Sequence, residues 1–417
     1  MKKLCYTEES LLRKTILFKY KFGFVGEAYI AVEEFENDYK QYKYILEKYL
    51  SLKEPFYCNR NRSYYSTDLK ETINLILSID SDAKSIINSD MSFQNKQYII
   101  FSLTEYMVSY IGKLLGVCFA HEELKNKYYI SLKTYLSQFT DYLVCIIFNE
   151  DFKSVPFISK ELLDNILCDM QQLHIQEVRE YSEMDNIFIM FVTYFVYSDY
   201  LKNQDIIISP LQGAVLIPPF YISIQKYINR KVGKDTNINF EYVRLSNYDN
   251  SHYCEFSLSQ QMKVLKNQYN ENANVILLDD NTGTGSTIKG IKQELSKVFI
   301  NITTGVLECR WDTKLYTSKF PNYPAFHLND VDLITPLCYR HYKFFHDQIK
   351  YIKNSEKLHS WYNNGQFYKL KMIYHEMDYY TYINENCFDD TIKNRLLDIY
   401  ENFKYIEEKI EKWREEY

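Results

Sequence analysis

The most informative stretch of this 417-residue chain is Val275-Ile276-Leu277-Leu278-Asp279-Asp280-Asn281-Thr282-Gly283-Thr284-Gly285-Ser286-Thr287. Its four apolar residues predict a buried strand, which delivers the two carboxylates that follow to the edge of a sheet. The glycines and hydroxyl residues then predict a loop that leads into a helix near Ser286. Glycines let successive backbone N–H groups converge on an anion, and a helix N-terminus adds its positive dipole end. The stretch therefore predicts a phosphate site beside a carboxylate pair, and such a pair suits sugar hydroxyls or hydrated Mg²⁺.

An apolar strand that ends in two acids is also typical of the Walker B element of an ATPase. That interpretation requires a Walker A loop, and the pattern G-x-x-x-x-G-K-[ST] occurs nowhere in the chain. The dinucleotide pattern G-x-G-x-x-G does not occur either. The sequence thus disfavours both an ATPase and a Rossmann dinucleotide site.

Short apolar or β-branched runs predict further strands around this stretch. They are Asp205–Ser209, Asn239–Arg244, Thr303–Glu308 and Asp332–Thr335. Helical patterns lie between them, one reaching Ile228 and one running from Ser286 to Val298. Alternating strands and helices predict βαβ units and a mainly parallel sheet flanked by helices, so the expected fold class is α/β. Right-handed crossovers place the loops that follow the strands along one edge, where ligands bind in such folds.

The quoted stretch resembles the phosphoribosyl pyrophosphate (PRPP) motif of type I phosphoribosyltransferases. That motif consists of four apolar residues, two acidic residues and a loop ending in Thr-Gly-x-Thr, and each part has a counterpart in Val275–Thr287. In the family the two acids bind the ribose 2′ and 3′ hydroxyls, a role that the resemblance assigns to Asp279 and Asp280. The loop holds the 5′-phosphate, and the residues assigned to it are Thr282, Gly283, Thr284, Gly285, Ser286 and Thr287. The family's pyrophosphate loop follows the first core strand, and Gln212 and Gly213 occupy that place. The alternative for these two residues is an ordinary strand-to-helix turn.

The resemblance implies a protein that binds PRPP with Mg²⁺, with Asp279 and Asp280 as candidate catalytic residues and metal ligands. Such an enzyme breaks the bond between ribose C1 and pyrophosphate and transfers the phosphoribosyl group to a nucleobase, another amine or water. The alternative is a catalytically idle domain that senses PRPP or a nucleotide and regulates or assembles with a partner protein. Three arginines lie near the ends of predicted strands, where each serves either as an anion clamp or in a surface ion pair: Arg244, Arg310 and Arg340.

Some positions depart from the family pattern. Asn281 and Thr282 are polar where family members usually have apolar residues, and Gly283 stands where purine-salvage enzymes often place an acidic general base. The string Asp-Asp-x-x-Gly-Thr-Gly is instead similar to a divergent bacterial group of phosphoribosyltransferase-like domains that carry extra helical regions. That group occurs with defence systems such as retrons. The resemblance therefore implies an effector of anti-phage defence whose partner is a defence-system protein or a nucleoprotein.

The sequence predicts three domains: a large all-α N-terminal region of residues 1–184, a phosphoribosyltransferase-like α/β domain of residues 185–345, and a helical C-terminal extension of residues 346–417. Apolar periodicity predicts the N-terminal helices Leu11–Leu52, Leu69–Ile87, Lys96–Cys118 and Tyr128–Ile147. Between Ile392 and Trp413 apolar residues recur every three or four positions, which is a heptad seam. This last helix packs either on the N-terminal helices or on another copy of the chain, and the second arrangement would make the protein a homo-oligomer.

Composition limits the classes of function. Hydrophobic residues make up 46% and charged residues 25% of the chain, which is typical of a globular protein and excludes collagen-like and disordered chains. A formal net charge of −6 provides no general attraction to nucleic acid or to an anionic membrane. The nine cysteines form no C-x-x-C pair, which is typical of reduced thiols, and the most apolar run, Ile187–Tyr197, is too short to span a bilayer. We therefore expect a cytoplasmic protein without a membrane segment.

Overall fold

The computed structural model describes a helical unit and a sheet unit. The described residues are 65–91, 93–147, 154–180, 190, 194, 197–198, 200–211, 213–231, 233–245, 254–282, 285–309 and 331–334. Among them, residues 65–180 and 223–231 form one compact unit, and residues 190–222 and 233–334 form the other. The predictions that lie outside the described residues are the helix Leu11–Leu52, the domain limits at 184/185 and 345/346, the C-terminal extension with its heptad seam, Gln212, Gly283, Thr284, Arg310 and Arg340.

Helices dominate the described residues 65–180. The elements are β1 (Tyr65–Asp68), α1 (Leu69–Ile87), α2 (Phe93–Ala120), α3 (Glu122–Ile147), α4 (Lys160–Gln172) and β2 (Glu177–Glu180). The predicted helix Leu69–Ile87 is confirmed as α1, and the predicted helices Lys96–Cys118 and Tyr128–Ile147 lie within α2 and α3. Helix α1 begins where it does because the Asp68 side chain accepts a hydrogen bond from the backbone N–H of Glu71 at 2.8 Å.

A two-stranded ribbon departs from the all-α prediction for this region. Strand β1 pairs antiparallel with β2, so that Tyr65 lies opposite Glu180 and Asp68 lies opposite Glu177. The all-α prediction is therefore wrong at these residues. Each strand has only four residues and is mostly polar, so neither shows the alternation of apolar and polar residues that predicts a strand.

Apolar packing holds the helical unit together. Helix α2 packs along α3, and α1 packs on α2 and α4. The residues that are completely buried here include Ile76, Ile86, Ile111, Leu114, Leu115, Leu132, Leu136 and Leu143. Complete burial of a side chain of this size stabilises a fold by about 1.5–3 kcal/mol. Among the described residues, no helix combines the length and the apolarity that crossing a bilayer requires.

A parallel sheet forms the centre of the other unit. The elements in chain order are β3 (Ile206–Pro210), α5 (Ile217–Lys231), β4 (Asn239–Val243), α6 (Leu258–Gln268), β5 (Asn274–Thr282), α7 (Ser286–Leu295), β6 (Asn301–Cys309) and β7 (Leu333–Ile334). Helix α5 begins in this unit, and its residues 223–231 belong to the helical unit. The strand order is β4-β3-β5-β6-β7, and every neighbouring pair is parallel. The predicted α/β class and the parallel sheet with flanking helices are confirmed in the described residues. Each strand predicted from an apolar run corresponds to one of these strands.

Strand β5 runs further than the sequence predicts. Its residues Val275–Leu278 are completely buried, as expected for a central strand covered on both faces. Beyond them the strand continues through the two acids to Thr282, because β6 supplies pairing partners as far as Cys309. Thr282, which the resemblance assigns to the phosphate loop, therefore has the backbone of a strand residue.

Candidate functional site

The strand order marks one place on the sheet independently of any motif. Strand β4 lies on one side of β3 and β5 lies on the other, so the chain changes side at β3. The ladder between β3 and β5 stops at Ile208 and Leu277, and beyond it the Ser209 hydroxyl donates to the carbonyl oxygen of Leu278 at 2.7 Å. In open α/β sheets ligands bind at such a switch point, outside the carboxyl ends of the two strands. The ends of β3 and β5 are thus the expected place for a ligand.

Asp279 and Asp280 lie at this switch point. Both are nearly buried, each with 6% of its surface exposed, and the backbone N–H of Asp280 donates to Asp279 Oδ1 at 2.9 Å. Burial raises the pKa of the Asp279 carboxyl well above its ordinary value, and the charge of Asp280 and a hydrogen bond between the carboxyls raise it further. Ionising two buried, adjacent carboxyls is unfavourable, so this place favours a ligand or a cation that offsets the charge of the pair. Carboxyl oxygens accept several hydrogen bonds between them, which suits a ligand with several hydroxyls.

Gly213 brings the turn after β3 against Asp280. A Cβ atom placed on Gly213 would lie 2.7 Å from each carboxylate oxygen of Asp280 and 2.8 Å from its Cγ. The backbone φ of Gly213 is not positive, so a larger residue could adopt its conformation. A glycine is needed here because a side chain would collide with Asp280. Two residues that the sequence analysis assigned to different parts of one site are therefore in direct contact.

Helix α7 begins at the end of the quoted stretch. Its N-cap residue is Gly285, whose φ of 76° lies in the left-handed region that favours glycine. No side chain caps the helix, and no acidic residue lies in its first turn. Ser286 is exposed and Thr287 is half-buried, so two hydroxyl residues flank the positive end of the helix dipole. Such an end favours an anion.

Arg244 lies at the same edge of the sheet, directly after the last residue of β4. It is half-buried. Its backbone N–H donates to Gln261 Oε1 at 2.8 Å, and its carbonyl oxygen accepts from Gln261 Nε2 at 3.1 Å. Gln261 was missed in the sequence analysis. The signal that identifies it is its spacing from Met262 and Leu265, which places a polar residue on the buried face of α6.

The carboxylate pair offers oxygen ligands of the kind that Mg²⁺ takes. Among the described residues, no three or more His, Cys, Asp or Glu side chains are grouped so as to hold a metal ion by themselves. Mg²⁺ rarely uses such a cage, because it keeps several waters and binds one or two carboxylates together with the phosphate oxygens of a ligand. Asp279 and Asp280 therefore fit a Mg²⁺ ion that arrives with a phosphorylated ligand.

Comparison with known proteins adds no family assignment. A scan against protein-family models finds no matching family, and a search of curated proteins finds no matching protein. The function is therefore inferred from the residues of the chain and from the geometry of the site.

Proposed function

We propose that this protein is a phosphoribosyltransferase-like enzyme that binds PRPP with Mg²⁺ and cleaves or transfers the phosphoribosyl group. The observation that carries the proposal is the contact between Gly213 and the Asp280 carboxylate. In the sequence these residues are separated by two helices and a strand, yet they meet at the switch point of the sheet. Neighbouring parallel strands end at the same edge of a sheet, and a glycine at this turn lets its backbone approach the carboxylate closely enough for both to contact one ligand.

Each part of the site has a counterpart in PRPP. Asp279 and Asp280 accept hydrogen bonds from the ribose hydroxyls. The N-terminus of α7, with the hydroxyls of Ser286 and Thr287, binds the 5′-phosphate. The turn at Gly213 lies beside the ribose end of the site and contacts the pyrophosphate.

Catalysis by these residues consists of positioning. Holding the ribose hydroxyls and the 5′-phosphate at two separate points fixes the orientation of C1 toward the acceptor. Mg²⁺, when bound, supplies charge neutralisation at the departing pyrophosphate. Asp279 and Asp280 are nearly buried, and a hydrogen bond made in such a water-poor environment is stronger than one made in bulk water.

Two finer points belong to the proposal. The role as an effector of anti-phage defence is supported by the string Asp-Asp-x-x-Gly-Thr-Gly and by the helical unit that accompanies the sheet. The catalytically idle sensor uses the same residues to bind the same ligand. Turnover is the property that separates the sensor from the enzyme.

The test is release of pyrophosphate from PRPP and Mg²⁺, measured first without an acceptor and then with a panel of nucleobases. Asp280→Asn keeps the size of the side chain and removes its charge. Hydrogen bonds to charged groups contribute about 1.5–3 kcal/mol, so this variant should lose about 10- to 150-fold in kcat/KM. Asp235→Asn is the matched control, because Asp235 is exposed in the segment that precedes β4, away from the carboxyl ends of the strands.

Each outcome has a distinct meaning. Release that is lost in Asp280→Asn and kept in Asp235→Asn supports the enzyme, and its dependence on an acceptor separates a transferase from a hydrolase. Binding of PRPP without release supports the sensor. A protein that neither binds nor cleaves PRPP would contradict the proposal.

A further inference from the structure

A buried glutamine joins separate segments of the chain at the end of β4. Gln261 lies near the start of α6, and only 4% of its surface is exposed. Besides its two hydrogen bonds with the backbone of Arg244, its Nε2 donates to the carbonyl oxygen of Phe256 at 3.2 Å. The amide oxygen and both amide hydrogens are therefore in use, which holds the side chain in one orientation.

The hydrogen bonds of Gln261 extend the ordered backbone of β4 by one residue. The ladder between β3 and β4 ends at the pair Pro210 and Val243. A side-chain amide presents the same donor and acceptor as a peptide group, so Gln261 takes the place of a neighbouring strand for Arg244. The start of α6 is itself braced by a capping box, in which Ser257 and Gln260 exchange hydrogen bonds.

The segment that contains Arg244 is also tied to the other elements of the candidate site. The carbonyl oxygen of Val243 accepts from the backbone N–H of Leu211, in the turn that leads to Gly213. Leu245 packs on α7, because its Cδ2 lies 3.0 Å from the position of a Cβ on Gly290. The elements on either side of Arg244 are thus the same ones that carry the predicted pyrophosphate turn and the predicted phosphate-binding helix.

We propose that Gln261 is a positioning residue that fixes Arg244 for binding the phosphate or pyrophosphate group of the ligand; this inference rests on the proposed function. A guanidinium group binds phosphate oxygens through two parallel hydrogen bonds, which makes its affinity sensitive to orientation. An arginine whose backbone is held loses less conformational freedom on binding than one whose backbone moves. Gln261 therefore acts on the ligand only through Arg244.

The experiment is a double-mutant cycle on the full chain. Gln261→Met keeps the volume of the side chain and removes its hydrogen bonds, and Arg244→Gln removes the cation. The dissociation constants of PRPP with Mg²⁺ and of inorganic pyrophosphate are measured by calorimetry, and the thermal midpoint of each variant is measured alongside. Gln268→Met is the matched control, because Gln268 is the exposed last residue of the same helix.

We expect each single substitution to weaken binding of both ligands by about tenfold or more, and the control to leave binding unchanged. In the Arg244→Gln background, Gln261→Met should leave the dissociation constants unchanged while still lowering the thermal midpoint. If Gln261 were purely structural, Gln261→Met would lower the thermal midpoint in both backgrounds, and its effect on binding would not depend on whether Arg244 is present. Gln261→Asn, which keeps an amide but is one methylene shorter, should bind PRPP with intermediate affinity and serves if the methionine variant does not fold.

Two results overturn the inference. One is a Gln261 variant that is less stable but binds both ligands as wild type does, and the other is a cycle in which the two substitutions weaken binding additively. A wild-type protein that binds neither PRPP nor pyrophosphate overturns the proposed function together with this inference, and that result is recognised without any substitution.

Discussion

Replacing Gly213 with alanine tests the arrangement at the switch point most directly. The added methyl carbon would lie 2.7 Å from both carboxylate oxygens of Asp280, whereas ordinary contact begins at 3.4 Å. The turn or the carboxylate must therefore move by roughly 0.7 Å, which on a steep repulsive wall is a large displacement. Asp280 is almost fully buried, so it has little space into which to move.

The size of the effect follows from two opposing contributions. Overpacking a buried site costs about 1–3 kcal/mol. Where the backbone tolerates a side chain, replacing glycine with alanine stabilises a protein by about 0.4–1 kcal/mol through the unfolded state. We therefore expect Gly213→Ala to lower the free energy of unfolding by about 1–2 kcal/mol in the wild-type background and to be neutral or slightly stabilising in an Asp280→Ala background, which removes the three clashing atoms.

The assay is urea unfolding of the four proteins of this cycle, without ligand or divalent metal. Gly233→Ala is the control: its φ of +67° is strained for alanine, but among the described residues, its chain neighbours apart, no atom lies within 4 Å of its Cβ position. Gly233→Ala should lower the free energy of unfolding by about 1–2 kcal/mol in either background, because its backbone strain is independent of Asp280. A Gly213→Ala penalty that agreed within about 0.5 kcal/mol in the two backgrounds would refute the claim that Asp280 requires a glycine at this position.

The remaining predictions concern titration and a buried hydroxyl. Burial and the neighbouring Asp280 raise the pKa of Asp279, which favours its protonated form in the folded state over the unfolded chain. Asp279→Asn should therefore become increasingly more stable than wild type as the pH rises above the ordinary aspartate range. The pKa of Asp332 is shifted in the opposite direction: burial alone would raise it, but hydrogen bonds from Thr304 lower it. The stability that Asp332 contributes over Asp332→Asn should therefore be present above the ordinary aspartate range and vanish as the pH falls through the native pKa, and a difference independent of pH would contradict this. Tyr242→Phe removes a buried hydroxyl that donates to a backbone carbonyl at 2.5 Å, and thermal unfolding should show a loss of about 1–2 kcal/mol.

Patterns that are local in the sequence predicted the sheet correctly. The apolar runs at Ile206–Ile208 and Val275–Leu278 are completely buried in β3 and β5, because a strand covered on both faces favours apolar side chains at successive positions. The helix start at Asp68 was predictable for a similar reason, since a capping side chain bonds to a residue three positions away. The β1–β2 ribbon could not be predicted in this way, because its pairing depends on two polar segments that are far apart in the chain.

For the candidate site, residue types and spacing were enough to identify Asp279 and Asp280 and to place them at the end of a buried strand. Spacing along the chain contains no information about which turn lies opposite them. The contact of Gly213 with Asp280 and the hydrogen bonds of Gln261 to Arg244 exist because crossover connections bring distant strand ends and helices together. A glycine that is needed because a side chain would collide with a neighbour cannot be told from any other glycine in the sequence. A side chain that forms hydrogen bonds with backbone atoms requires no particular residue type in its partner. These two arrangements therefore became visible only in the folded chain.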